Sequence, residues 1–427
     1  MPKAKHVVLI SVDGLQPAYY LDDKWPAPAM QQLYREGAHA VAVRSVFPAL
    51  TYPGHTTLVT GALPARHGIV HNKHFEPVAD PPWVKDANLI QVPTLWDAVR
   101  ARGGTTGAIL WPVTAGAAID WNLPDIWPGG NGDLIAALRG NDRPLGFLEE
   151  LEREATGRLS PENFNNQWLS HDLRVALLAE YLFERYRPTL LLVHTQTSNQ
   201  VPQEPDWRNP RRARSVAASD QIVSIILEVI ERTKTWDDTA VIVTGDHGNT
   251  EVHTQIRPNL WLIEAGLRGK RLEDGDCRAT FHALGGSAFL RVRDEGAAAE
   301  VHRILDEFPA ATRQLFRIVE REELDALGAD PGAPFALAAA PGFVIDDRSD
   351  PPVLQPNPGM SHGHHNDLPD MNTGFIAKGA GIRAGACAPL LPLTAIAPLV
   401  AELLGLEFNA PDGVLYPGLL DGSSPGS

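Results

Sequence analysis

Cysteine is nearly absent: Cys277 and Cys387 are the only two in 427 residues. Neither sits in a Cys-x-x-Cys spacing, which excludes a disulfide framework and a thiolate metal site. Each reads as a small buried hydrophobe. Long apolar runs are missing too. Val7-Val-Leu-Ile10 starts almost at Met1 and stops at Asp13-Gly14, far short of the roughly 20 apolar residues of a membrane span. A strand so near Met1 leaves no room for a cleaved leader, so the expected compartment is the cytoplasm, without a membrane partner. Positive charge is scarce, with 37 Lys and Arg against 52 Asp and Glu and a formal net charge of −15. That excludes the basic stripe of a nucleic-acid-binding protein. A small anionic substrate remains open, because a bound metal overrides the mean field locally. No internal repeat is visible, and nothing in the pattern sets an oligomeric state.

What is present is a globular composition, 44% hydrophobic and 21% charged. Its length suits one large α/β domain with a smaller insertion. Four short apolar runs end in polar or acidic residues: His6 to Asp13, Gly107 to Trp111, Thr189 to His194, and Thr239 to Asp246-His247. Helix-period stretches, such as Leu173 to Tyr186 and Ser215 to Arg232, lie between them. Continuous β-branched runs alternating with helices predict a doubly wound, mostly parallel α/β sheet. Residues 1–250 are read as the first part of the core and 251–359 as an inserted α+β cap. The cap holds a strand at Gly286 to Val292, a helix at Ala297 to Phe308, and a Pro/Gly/Ala-rich stretch. Residues 360–427 return to the core through a final helix, Pro392 to Leu404, and end in a disordered tail.

In a doubly wound sheet, chemistry gathers beyond the carboxyl ends of the strands. Asp13, His194 and Asp246-His247 all fall at that edge. The run Phe47-Pro-Ala-Leu-Thr51-Tyr-Pro53-Gly-His55 places a hydroxyl between a Pro-bounded loop and the first turn of a helix. Orphan N–H groups and the helix dipole favour an anion there. Threonine is a poor nucleophile until a metal or a base removes its proton. Carboxylates with imidazoles suit Zn²⁺. His362, in Ser-His-Gly-His-His, is a loop residue that fits either a ligand or plain surface. His55, His67 and His71 read as structural. His253, His364 and His365 read as exposed loop residues, and Tyr52, Phe281 and Trp207 as packing residues that could alternatively stack on a base.

Taken in order, these pieces resemble the nucleotide pyrophosphatase/phosphodiesterase family of the alkaline phosphatase superfamily, which is related to phosphonoacetate hydrolase. The resemblance runs from Val7 to about Leu404. Its strongest segment is Thr51-x-Pro53-x-His55, Thr60-Gly61-x-x-Pro64 and His67-Gly-Ile-Val-His71-Asn72. The resemblance implies that Thr51 is the nucleophile and that Asn72 donates to a phosphoryl oxygen. It also implies one zinc on Asp13, Asp246 and His247 that touches Thr51. A second would sit on an Asp-x-x-x-His pair together with His362, stabilising the leaving group and supplying hydroxide.

The Asp-x-x-x-His pair is where this chain departs. Counted from Val193-His194, its positions hold Asn199 and Gln203; Gln196 and Gln200 have the same spacing, so a slipped register stays open. Neutral amides remove a full charge and a strong nitrogen donor. One zinc is therefore expected to bind firmly and the second to be weak or absent, through natural loss or deliberate disabling. No Arg lies between Arg44 and Arg66 to clamp a dianion, and the neutral Asn72 better suits a singly charged diester or pyrophosphate. The expectation is a zinc-dependent hydrolase of a small nucleotide-type phosphate ester, acting through a phospho-threonine intermediate. A phosphonate hydrolase on the same scaffold and a non-catalytic binder of phosphorylated ligands are the alternatives.

Overall fold

A computed structural model describes residues 2–75, 81–129, 132–200, 210–270 and 277–422. Its strands, in chain order, are β1 (His6–Val12), β2 (Ala38–Arg44), β3 (Thr106–Ile109), β4 (Trp121–Leu123), β5 (Leu190–Thr195), β6 (Thr239–Thr244), β7 (Thr250–Ile256) and β8 (Ala279–Leu284). They continue with β9 (Ser287–Val292), β10 (Phe316–Val319), β11 (Ala336–Ala339), β12 (Gly342–Ile345), β13 (Leu354–Ser361), β14 (Thr373–Gly379), β15 (Cys387–Ala388) and β16 (Leu391–Pro392).

The central sheet runs β15-β2-β14-β6-β1-β5-β3-β4, with β16 also on β2. All its pairings are parallel except those of β14, which lies antiparallel to β2 and β6. β1 shows why the sheet is buried on both faces. Val8, Ile10 and Val12 pack with the helices Ser170–Tyr186 and Pro210–Arg232. Val7 and Leu9 point the other way, toward Thr51–Thr60 and Ile396–Leu404. A period of two on a strand with apolar residues at every position needs a helical layer on each side. The α/β, mostly parallel sheet expected from the sequence is therefore present.

Residues from Asn259 to Ala339 build a separate antiparallel sheet, β10-β11-β9-β8, with its own apolar cluster around Phe281, Leu290 and Val301. A third, three-stranded sheet, β12-β7-β13, adjoins it in sequence. No helix among the described residues is long and apolar enough to cross a membrane.

Element boundaries differ from the sequence reading at their ends. The helix expected from Ala297 begins at Glu295, because Asp294 caps it by accepting from the Ala297 N–H at 2.9 Å. The C-terminal α-helix begins only at Ile396, after a single 3₁₀ turn over Leu393–Ala395. Cys277 is buried as expected, whereas Cys387 is exposed. The two-residue strand at Cys387 lies at the edge of the sheet, where no neighbouring strand covers it.

Candidate active site

β6, β1 and β5 are neighbours and run parallel, so their carboxyl ends reach one edge together. Asp13 follows β1 and Asp246-His247 follows β6. The helix Thr51–Thr60 arrives from β2 on the same side. Gly54 lets that helix approach: a Cβ there would lie 2.9 Å from Cβ of Asp246 and 3.1 Å from its carbonyl oxygen. The Ser45 hydroxyl donates to the same carbonyl at 2.6 Å.

Asp13, Asp246 and His247 are buried, and one candidate ligand atom from each falls within 4.8 Å of the others. Nδ1 of His247 donates to the Gly248 carbonyl at 2.9 Å. Its Nε2 lone pair therefore faces Asp246 Oδ2 at 3.2 Å, Asp13 Oδ1 at 3.4 Å and the Thr51 hydroxyl at 3.4 Å. Asp13 Oδ1 and Asp246 Oδ2 are buried without a hydrogen-bond donor. Two buried carboxylate oxygens and an imidazole lone pair, all turned inward without donors, form a set that a divalent cation satisfies.

The electrostatics agree. Burial pushes Asp246 up to about 6, with the neighbouring Asp13 charge adding to the shift. Burial acts on Asp13 in the same direction, but His194 and His247 hold it down at about 2. The two buried carboxylates are thus held far apart in proton affinity, and a cation between them would relieve the repulsion that raises Asp246.

Asn72 is buried beside the start of the Thr51 helix. Its Oδ1 accepts the backbone N–H of Tyr52 at 2.9 Å, which fixes the amide and leaves the NH₂ group to donate. His362 stacks on His247, with ring centroids 4.1 Å apart and planes 10° apart. Burial drives its imidazole down to about 3, so it stands neutral with a lone pair to offer. Asn199 also reaches the site: its Cβ lies 3.6 Å from where a Cβ on Gly14 would stand, and its Oδ1 accepts from Asn249 Nδ2 at 3.2 Å. Gln203 and Trp207 lie outside the described residues.

Several sequence readings need correction. His364 and His365 are buried, not exposed. Nε2 of His364 donates to the Phe343 carbonyl at 2.8 Å, and His365 packs against Phe47. His253 is exposed, but on strand β7 and not in a loop. Tyr52 and Phe281 are each only 1% exposed, which closes them to a nucleobase.

Three further residues shape the site: His55, read from the sequence as structural, His194, read as lying at the sheet edge, and Asp125, which the sequence reading did not single out. Nδ1 of His55 donates to the Thr51 carbonyl at 2.8 Å and lies 3.5 Å from Asp246. His194 anchors Nδ1 on the Leu110 carbonyl and turns Nε2 toward Asp13 at 3.7 Å. Asp125 accepts from the Tyr52 hydroxyl and from Gln196. His55 was marked by the Thr51-x-Pro53-x-His55 spacing and His194 by being a single imidazole near the end of an otherwise apolar buried strand; Asp125 had no such signal.

Comparison with known proteins follows the same lines. The profile of the type I phosphodiesterase / nucleotide pyrophosphatase family matches residues 7–375. Human ectonucleotide pyrophosphatase/phosphodiesterase family member 5 is 23% identical over 423 residues, covering 97% of this chain and 77% of that protein. A bis(5'-adenosyl)-triphosphatase of Xenopus laevis is 21% identical over 428 residues, covering 96% and 80%. Among solved structures, human member 5 superposes with a TM-score of 0.70 at 22% identity, covering 97% of this chain and 100% of that one. Murine member 5, as an inactive threonine-to-alanine variant in complex with AMP, gives 0.69 at 22% identity, covering 98% and 100%. The chain belongs to the type I phosphodiesterase / nucleotide pyrophosphatase family, within the alkaline phosphatase superfamily.

Proposed function

We propose that this protein is a zinc-dependent hydrolase of phosphodiester or pyrophosphate bonds in small nucleotide-type substrates, with Thr51 as nucleophile and an impaired second metal site. One observation carries the reading: the Thr51 hydroxyl stands 3.4 Å from the same His247 nitrogen that faces the two donor-free carboxylates. Asp13, Asp246 and His247 would hold the ion. When bound, it supplies Lewis acidity that favours the alkoxide form of a neighbouring hydroxyl.

The chain's own groups do the rest. Thr51 Oγ1 attacks phosphorus in line and becomes phosphorylated as the leaving group departs. Asn72 donates its NH₂ group to a nonbridging oxygen, and it does so without reorganising because Tyr52 already holds its Oδ1. His55 fixes the carbonyl of the nucleophile and keeps the first turn of the helix in register with Asp246.

On the leaving-group side, Asn199 and Gln203 stand where the family resemblance expects an acid and an imidazole. The Asn199 oxygen is engaged by another neutral amide, that of Asn249. His362 alone keeps a good ligand there, so both leaving-group stabilisation and cleavage of the phosphorylated threonine are slowed. The relatives named for nucleotide pyrophosphate substrates, and the AMP complex of murine member 5, support a nucleotide-type substrate. The amide pairing of Asn199 also favours a second reading, in which one metal and the Thr51 pocket hold a phosphorylated ligand without turnover.

Turnover of a nitrophenyl phosphodiester beside the corresponding monoester, with zinc present, tests the proposal. The diester is expected to be preferred, and Thr51→Ala to lower the rate by several orders of magnitude. Retention of more than about a tenth of the rate by that variant rules out Thr51 as nucleophile.

A further inference from the structure

Two stretches that the proposed reaction needs meet at one buried carboxylate. The first is the start of the helix Thr51–Thr60, where Tyr52 follows the nucleophile and its backbone N–H holds Asn72 Oδ1 at 2.9 Å. The second is the stretch after β5, Gln196 to Asn199, which enters a short helix at Thr197. Asp125, two residues beyond β4, joins them.

Asp125 is 2% exposed. Its Oδ2 accepts the Tyr52 hydroxyl at 3.1 Å, and its Oδ1 accepts Nε2 of Gln196 at 3.0 Å. Burial and then the Asp125 charge push the Tyr52 hydroxyl well above 10, so it keeps the proton that it donates. An ionised carboxylate accepts on both oxygens, which is what two facing donors require. The backbone N–H of Asp125 donates to the Trp111 carbonyl at 3.3 Å, which ties the segment to the end of β3.

The stretch after β5 is fixed on its other sides as well. The Ser198 hydroxyl donates to the Asp13 carbonyl at 2.7 Å. Asp172 accepts the N–H groups of Gln196 and Thr197, each at 3.3 Å. Those contacts set the stretch against β1 and the helix Ser170–Tyr186, and the Asp125 contact sets it against the nucleophile.

We propose that Asp125 is a positioning residue that bridges the Thr51 helix and the stretch leading to Asn199, fixing the spacing between the nucleophile and the leaving-group side. The inference rests on Thr51 being the nucleophile. A misplacement near 1 Å costs in-line transfer about a hundredfold, so spacing set across the site bears directly on rate.

The test is a double-mutant cycle with Tyr52→Phe and Gln196→Met, each of which removes one end of the bridge and leaves Asp125 in place. Turnover of the nitrophenyl phosphodiester with zinc is expected to fall at least about tenfold in each variant. The loss should lie in kcat more than in KM. The two changes together should cost no more than the larger single one, because either break uncouples the two sides. Asp125→Asn is the conservative variant. Its amide still accepts from Tyr52, and it donates to Gln196 Oε1, now buried without a partner, once that side chain turns over. It should recover most of the kcat that Asp125→Leu loses. Amide hydrogen exchange reads the bridge without turnover: Tyr52→Phe should speed exchange at Thr197 to Asn199, on the far side of Asp125. Equal melting temperatures exclude unfolding as the cause. Losses that multiply in the double variant overturn the bridge, as does unchanged turnover in both single variants while Thr51→Ala is inactive. If Thr51→Ala keeps its rate, or the parent shows none, the nucleophile reading fails and exchange alone decides. Faster exchange across Asp125 then supports the bridge, and unchanged exchange overturns it.

Discussion

Asp13, Asp246 and His247 were readable one at a time, because each follows an apolar run that breaks into turn residues. The parallel-sheet reading placed them at one edge, but the strand order β6-β1-β5 that brings them together came from the structure. Asp125 was harder, because a single polar residue in a stretch without periodicity has no spacing to mark it. His364 and His365 misled for the opposite reason: a Gly-rich His cluster looks like surface, but Gly286 lets His364 pack within 2.1 Å of where a Cβ would stand. The same burial makes the fold acid-sensitive. Burial lowers His67 to about 3 and His282 to about 4, against an ordinary 6.5, and holds His55 and His71 well below 6.5 as well. The unfolded chain binds more protons at these sites, so stability present above pH 6.5 is lost as pH falls toward 4. Asp220 and Asp347, raised by burial to about 6, act in the opposite direction between pH 6 and 4 and offset part of the loss. His362, lowered by burial to about 3, adds to the loss. Asp246, raised by burial to about 6, and His194, raised against its burial to about 9 by Asp13, add to the offset. Five depressed imidazoles against three raised carboxylates and one raised imidazole leave a net decline. Urea unfolding at pH 7.5 and pH 5, with chelator present to remove metal effects, is expected to show a lower midpoint at pH 5. An equal or higher midpoint contradicts the buried neutral imidazoles.

Among the elements, the helix Thr51–Thr60 shows how a motif can be legible while its physical reason is not. The Thr-x-Pro-x-His spacing pointed to a hydroxyl at a helix start. Nothing in it revealed that Gly54 is the point of contact with Asp246. In an ordinary exposed helix, replacing glycine by alanine gains up to about 1 kcal/mol. Here the added methyl meets Cβ and the backbone of Asp246 at 2.9–3.3 Å, and overpacking of this kind costs typically about 1–3 kcal/mol. Gly54→Ala is therefore expected to lower the melting temperature. It should also push Thr51 away from His247, with a fall in diester turnover of roughly a hundredfold for a displacement near 1 Å. A variant that melts higher and turns over normally shows that the helix is not held against Asp246 in this way.

For the whole molecule, the sequence pattern carried the sheet well because its strands are apolar at every position. The region from Asn259 to Ala339 was less readable, since short strands such as Phe316–Val319 and Ala336–Ala339 are too brief for a period to show. The departure proposed at Asn199 and Gln203 draws on parts of the chain far apart in sequence, the stretch after β5 and His362. It is open to repair. Asn199→Asp with Gln203→His restores an anionic oxygen and an imidazole which, with His362, make a three-ligand zinc site with an open position. The repaired chain is expected to hydrolyse a diester at least about a hundredfold faster than the parent, because a second metal supplies several kcal/mol of transition-state stabilisation. Single repairs complete no ligand set and should do much less. A repaired chain that binds two zinc ions and stays inert favours the ligand-binding reading.

Zinc content per chain after dialysis tests the central claim most directly. One zinc ion per chain is expected in the parent, none in Asp246→Asn, and two in the Asn199→Asp, Gln203→His chain. Two ions in the parent would contradict the impaired second site. None in the parent, with none gained on adding zinc, would contradict a metal on Asp13, Asp246 and His247.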